Sequence, residues 1–192
     1  MTARLLSTTF VVALAGAAFT TLPLRAAQAG HIHASGSVAA DAEGAAGLVK
    51  IVREATERFK DVEVAKNEGY ALQFGCVSGP DYGAMGMHFV NFPLVTDGEL
   101  DATRPEIVIY EPLPNGQLKL IGADYLVLAD AWNSKHDGPP QLNGQLFHLF
   151  EAPNRFGLPS FYTLLVWAWK ENPTGTFVNW HSNVSCDAAA GK

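Results

Sequence analysis

Glu106-Ile107-Val108-Ile109-Tyr110-Glu111-Pro112-Leu113-Pro114-Asn115-Gly116, with the run Gln117 to Leu128 behind it, is the stretch on which the fold turns. Ile107 to Tyr110 are β-branched or aromatic without a polar break, the pattern of a strand buried on both faces. Pro112 to Gly116 supplies a turn, and Asn115-Gly116 is the strongest hairpin signal in the chain, because such turns need residues that accept positive φ. Gln117 to Leu128 then reads as the return strand. A hairpin makes its two strands antiparallel, and the rest of the chain is read around that pair.

Further strands are expected at Met85–Phe92, Gln145–Phe150 and Phe161–Trp169, with a short one near Thr176–Trp180. Ahead of them the period is helical: Leu48, Ile51, Val52, Ala55 and Phe59 recur on one face, with Glu54 and Arg58 placed to pair at i, i+4. Asp61 is placed to cap a second short helix through Val62, Val64 and Ala65, which Gly69 ends. The glycine-rich residues 69–86 read as a long loop. No helical stretch lies between strands, which argues against a doubly wound parallel sheet. The expected fold is α+β, an N-terminal helical pair packed on a mainly antiparallel β-sheet. Trp167, Trp169, Trp180, Phe147 and Phe161 are its expected large core residues.

The first 29 residues carry a different message. Arg4 precedes an uncharged, largely apolar run from Leu5 to Leu24, and Ala27-Gln28-Ala29 has small residues where a signal peptidase reads. Residues 1–29 therefore read as a signal peptide. The alternative is an uncleaved anchor, which Pro23 and the interspersed threonines and Gly16 disfavour. Residues 30–46, poor in large apolar side chains, read as a flexible lead-in, 47–187 as a single globular domain and 188–192 as a tail. The implied location is periplasmic or secreted. Arg4 and Arg25 leave with the leader, so 11 basic residues face 19 acidic ones, a net charge of −8. That balance disfavours nucleic acid and anionic membrane surfaces as partners and leaves small molecules or proteins.

Cys76 and Cys186 are the only cysteines. An even count in an exported chain favours one disulfide; the alternative is a reactive thiol at Cys76 beside Ser78, as in a thiol or hydrolytic enzyme. The standard catalytic signatures are absent: no nucleophile elbow, no His-Glu-x-x-His, no phosphate-binding lysine loop. What remains is a spread of histidines. Strand alternation puts His88 on a face with Gly86 and Val90, and Met85 with Met87 on the other. His148 shares a face with Leu146 and Phe150. His88 and His148 with a carboxylate, Glu111 or Glu151, make up a candidate site for zinc, copper or non-haem iron, with His181 as a further possible ligand. The alternative is that both are core histidines, for which Glu111, Glu151, Asp124 or Tyr110 are available partners.

The run Gly83-Ala84-Met85-Gly86-Met87-His88-Phe89-Val90-Asn91 resembles a family of exported bacterial single-domain proteins to which no activity is attached. The likeness continues through Leu100-Asp101-Ala102-Thr103-Arg104-Pro105-Glu106 and Tyr110-Glu111-Pro112. It closes on Val166-Trp167-Ala168-Trp169-Lys170 and Val184-Ser185-Cys186. It implies a secreted single domain over residues 50–186. Members tend to carry an acidic residue and a His where this chain has Thr163 and Leu165, and Asn-Pro where it has His181-Ser182. A metal held through that His would be lost or moved here. The expected function is non-catalytic binding of a small ligand or partner; the alternative is a metal-binding protein or metalloenzyme.

Overall fold

The computed structural model describes residues 35–189; the leader read over residues 1–29 lies outside the described residues. Helix α1 (Ser35–Thr56) is the first element of the described residues, followed by a 3-10 turn at Glu57–Lys60 and helix α2 (Val62–Asn67). The expected lead-in is thus corrected: residues 35–46 are helical. Alanine-rich sequence lacks large side chains but has the highest helix propensity, so paucity of apolar bulk is a poor sign of disorder. Leu48 and Val52 are fully buried, each stabilising by about 2 kcal/mol. Of the helical pair, only α1 is long; α2 is a six-residue helix whose Asp61 cap accepts from the Glu63 N–H at 3.0 Å, as the sequence suggests. The expected Glu54–Arg58 pair is replaced. Because α1 ends at Thr56, Arg58 turns to Glu68, with both contacts at 2.7 Å, and Glu54 faces Lys50.

The glycine-rich segment is not a loop. It is a bulged hairpin of β1 (Ala71–Gly79) and β2 (Gly83–Val90). A short helix α3 (Phe92–Asp97) leads to β3 (Ile107–Pro112) and β4 (Leu118–Leu128). The β3–β4 turn is as read: the Gly116 N–H donates to Leu113 O, the Leu113 N–H donates to Gln117 O, and Gly116 takes φ +81°. Helix α4 (Ala129–Asn133) and strands β5 (Gln141–Leu142), β6 (Gln145–Leu146), β7 (His148–Phe150) and β8 (Phe161–Val166) complete the set. The expected strand at Gln145–Phe150 is broken at Phe147, whose N–H donates instead to Pro140 O. The strand expected at Thr176–Trp180 is irregular; Asn172 and the Trp167 ring hold it through Trp180 O and Val178 O.

All pairings are antiparallel, in a curled six-stranded sheet of order β1-β2-β3-β4-β8-β7 beside the small β5–β6 pair. The α+β reading with a mainly antiparallel sheet is shown. Two layers of core result. On one face α1, the 3-10 turn and α2 cover Tyr110, Ala123, Tyr125, Leu164 and Val166. On the other, Ile107, Ile109, Ile121, Leu126 and Leu165 are covered by the 150–158 segment and by Trp180 to Cys186. The Cys76–Cys186 disulfide joins β1 to that C-terminal segment. Among the described residues no helix is long and apolar enough to cross a membrane.

Candidate functional site

The second face holds a small, partly open cavity. It forms because β2 breaks its own alternation: Val77 pairs with Gly86 but Ser78 with Ala84, so Met85 is an extra residue. Gly86 takes φ +101° to absorb it; a side chain there would sit 2.7 Å from Tyr110 O. Beyond the bulge Met87 and Phe89 pack against the helical layer while Met85 joins His88 on the cavity side. Met85 and Met87 therefore do not share a face, and the pair cannot act as joint soft ligands.

His88, Asp124 and Thr163 are the polar members of the cavity wall, and all are buried. They come from three strands, β2, β4 and β8, that the order of the sheet places on one face. The remainder is apolar: Met85, Ile107 and Leu126 from the sheet, with Phe150, Phe156, Leu158 and Phe161 around them. The free volume, about 20 Å³, is that of a single water.

Burial governs the protonation of this wall. The imidazole of His88 places Nδ1 3.1 Å from Gly86 O. A carbonyl only accepts, so Nδ1 carries the proton and Nε2 presents a lone pair. Desolvation depresses the ring to a pKa of about 4, and the Arg155 charge pushes the same way. Asp124 is pushed up to about 7 by burial, although the Thr163 hydroxyl donates to its Oδ1 at 2.5 Å. Glu106 is pushed up to about 8, again by burial first; the Leu126 N–H donates to it at 3.0 Å, and Asp124 raises it further by its charge.

These directions fix a pH dependence. The unfolded carboxyls ionise near pH 4, while the folded ones hold their protons to about 7 and 8, so over that window the native state binds more protons and stability falls as pH rises. His88 acts oppositely, but only below the unfolded value of about 6.5, where the unfolded chain takes up the proton that the native ring refuses. From pH 6.5 to 8 the carboxyls act alone. Unfolding free energy should drop there by on the order of 2 kcal/mol, and Asp124→Asn should remove part of the slope. Denaturant titration at each pH reads it; a flat profile in the wild type would contradict the buried acids.

The cavity has an aromatic cover. Register slips between Gln73 and Cys76, where Phe74 takes φ +62°, a conformation rare for a non-glycine residue. Its half-exposed ring meets Phe156 edge-on, centroids 5.3 Å apart. The covering loop is internally tied: Asn154 accepts from the Phe156 and Leu158 N–H groups, and its amide donates to Leu158 O at 2.9 Å. Arg155 fastens the loop to β1 by donating to Ser78 O at 3.1 Å.

The proposed metal ligands do not converge. His148 is exposed on the edge strand β7, four strand steps from His88 on β2, or about 19 Å along the sheet. Glu151 is exposed, and Glu111 accepts from Lys170 Nζ at 2.6 Å in a largely buried ion pair. His181 is fully buried with both nitrogens engaged: Nε2 donates to Glu171 O at 3.0 Å and Nδ1 accepts from the Asn183 N–H at 3.1 Å. Burial lowers its pKa, so the ring stays a neutral structural element. Among the described residues no group of three or more His, Cys, Asp or Glu side chains could hold a metal. Strand order is the reason: β8 and β7 follow β4 in reverse, which no spacing along the chain reveals. Cys76 is in the disulfide, so it offers no thiol nucleophile. What the sequence reading passed over was Thr163, and Asp124 as more than a partner for His88. The signal was present, since Asp124 is the lone charge in the apolar run from Leu120 to Leu128.

A second, wider concavity of about 1340 Å³ lies on the opposite face, floored by Tyr70, Leu72, Met87, Leu120 and Trp169. It is larger, but its charges are exposed, and Lys60 pairs with Glu57 and Lys66 with Glu63. Size favours the groove; buried, shifted titratable groups favour the cavity, and those are the stronger sign of a built site. The chain matches no protein-family model, no curated protein and no solved structure.

Proposed function

We propose that this is an exported, non-catalytic binding domain that takes a small, largely apolar molecule at the cavity beneath Phe74 and Phe156, whose water-sized space opens to admit it. The observation that carries the reading is the union of His88, Asp124 and Thr163, all buried, in one otherwise apolar pocket under an aromatic cover. A core built for stability alone gains little from three desolvated polar groups beside a void. Export is supported by the leader-like first 29 residues and by the disulfide, which suits an oxidising compartment.

Methyl NMR on the purified chain tests the site. Benzene, toluene, phenol and 1-butanol, added at millimolar concentration, are expected to shift the Met85 methyl resonance saturably. Leu126→Phe, which fills the cavity, should suppress the shift. A Met85 methyl that no probe moves would end the proposal. So would stoichiometric zinc, copper or iron in the purified protein that disappears in His88→Ala, which would promote the metal reading in its place.

A further inference from the structure

We infer that two copies of this chain associate about a two-fold axis through a row of side chains beside β1, the edge strand of the sheet, with Arg155 of each copy meeting Asp81 of the other. The inference is independent of the cavity reading. The row is continuous by contact. Phe74 meets Phe156 edge-on at 5.3 Å. The Arg155 guanidinium carbon comes next, 5.9 Å from the Phe156 ring centroid and 5.7 Å from that of Trp180. Trp180 neighbours Tyr82 at 6.4 Å, and Asp81 stands beside Tyr82 in the turn between β1 and β2.

The row is both exposed and held in place. Tyr82 is 61% and Phe74 41% exposed, and Arg155 and Asp81 are exposed with them. A cluster of aromatic rings left in water with polar side chains at its rim marks a contact surface. Gly79 is the seat of one end: a Cβ there would lie 3.4 Å from Trp180 Cζ3 and 3.5 Å from Tyr82 Cδ2, so both rings rest on bare β1 backbone. Trp180 is pinned through its carbonyl, which accepts from Asn172 Nδ2 at 2.8 Å, and Arg155 is pinned by donating from Nη2 to Ser78 O. Side chains already ordered lose little entropy on association, and Trp, Tyr and Arg are the residues that dominate interface energies.

Charge selects the occupant. Most basic side chains among the described residues are held in ion pairs, but Arg155 is in none, and neither is Asp81. The aromatic pair Trp180 and Tyr82 stands between these two charges. A two-fold rotation about an axis through that pair exchanges the ends of the row, so each cation faces an anion and the contact is made twice. The net charge of −6 makes two copies repel at long range, so self-association needs a patch that carries its own opposite charges. This row carries them.

The test is sedimentation of the purified chain with two charge reversals. Wild type should show a monomer–dimer equilibrium between about 1 and 500 μM, the range suited to an interface of modest size. Arg155→Glu and Asp81→Arg should each raise the dissociation constant at least tenfold, because each puts like charges together twice. Tyr82→Ser, which leaves both charges, should weaken the dimer comparably. Mixing the two reversed variants should restore assembly, since in the mixed dimer both contacts again join opposite signs, and that recovery also shows that both variants fold. Should Arg155→Glu not fold, Asp81→Arg decides alone, its substitution lying in an exposed turn. A wild type that stays monomeric to the top of the range, or a dimer that Asp81→Arg leaves unchanged, would overturn the inference. Folded single variants that do not assemble on mixing would overturn it as well.

Discussion

Replacing Cys76 and Cys186 together by serine should lower the unfolding free energy by about 4 to 5 kcal/mol, from the entropy that a cross-link removes from the unfolded chain. The cysteines are 110 residues apart, so the closed loop contains almost the whole sheet, and the effect grows with loop length. Against a typical total of about 5–15 kcal/mol, that is a third or more of the stability of an ordinary domain. The native fold should survive. The C-terminal segment keeps its paired backbone bonds between Ala84 and His181, both at 3.2 Å, and Lys170 Nζ still donates to Asn183 O. The variant should thus unfold in one transition at a lower denaturant midpoint, and reduced wild type should superimpose on it. A loss below about 1 kcal/mol would mean the bridge is incidental, with the unfolded chain already compact.

That bridge was legible in the sequence because two cysteines permit one pairing. Asn115-Gly116 was legible because few residues suit its turn, and Asp61 because its cap is local. The layer on α1 followed from Leu48 and Val52 at helical spacing. The rest depended on information that local patterns do not hold. Residues 35–46 form a helix whose small side chains mimic a linker. Gly86 alters the parity of β2 by one residue, which reassigns Met85 to the other face. His148 and His88 are both strand residues, yet their separation depends on β8 and β7 lying beyond β4, a long-range choice. Of the candidate site, His88 was found and His148, Glu111, Glu151 and His181 were not brought to it. Asp124 carried the stronger clue, since a lone carboxyl in an apolar strand must find a partner or keep its proton.

Gly83→Ala should be among the most damaging single substitutions in this chain, at about 3 kcal/mol or more, and Gly75→Ala shows why. Both glycines have positive φ, +81° and +65°, so each alanine bears a left-handed backbone cost of about 1–2 kcal/mol. There the likeness stops. A methyl at Gly75 meets nothing within 4 Å, whereas one at Gly83 overlaps the carbonyl oxygen of His181 and lies 2.8 Å from Ser182 Cα. The neighbour cannot retreat. His181 is fully buried, its ring is held by Glu171 O and the Asn183 N–H, and it packs edge-on against Trp167 at 4.9 Å. The methyl must therefore separate Ala84 from His181 and break the bridge that seats the C-terminal segment over the second face of the sheet. Equilibrium denaturation of the two variants isolates the close approach from the φ penalty they share. Hydrogen exchange adds a local readout, since the Ala84 and His181 amides should lose protection in Gly83→Ala and keep it in Gly75→Ala. Equal destabilisation by the two substitutions would show that conformation alone requires glycine at position 83 and that the segment over the sheet has room to yield.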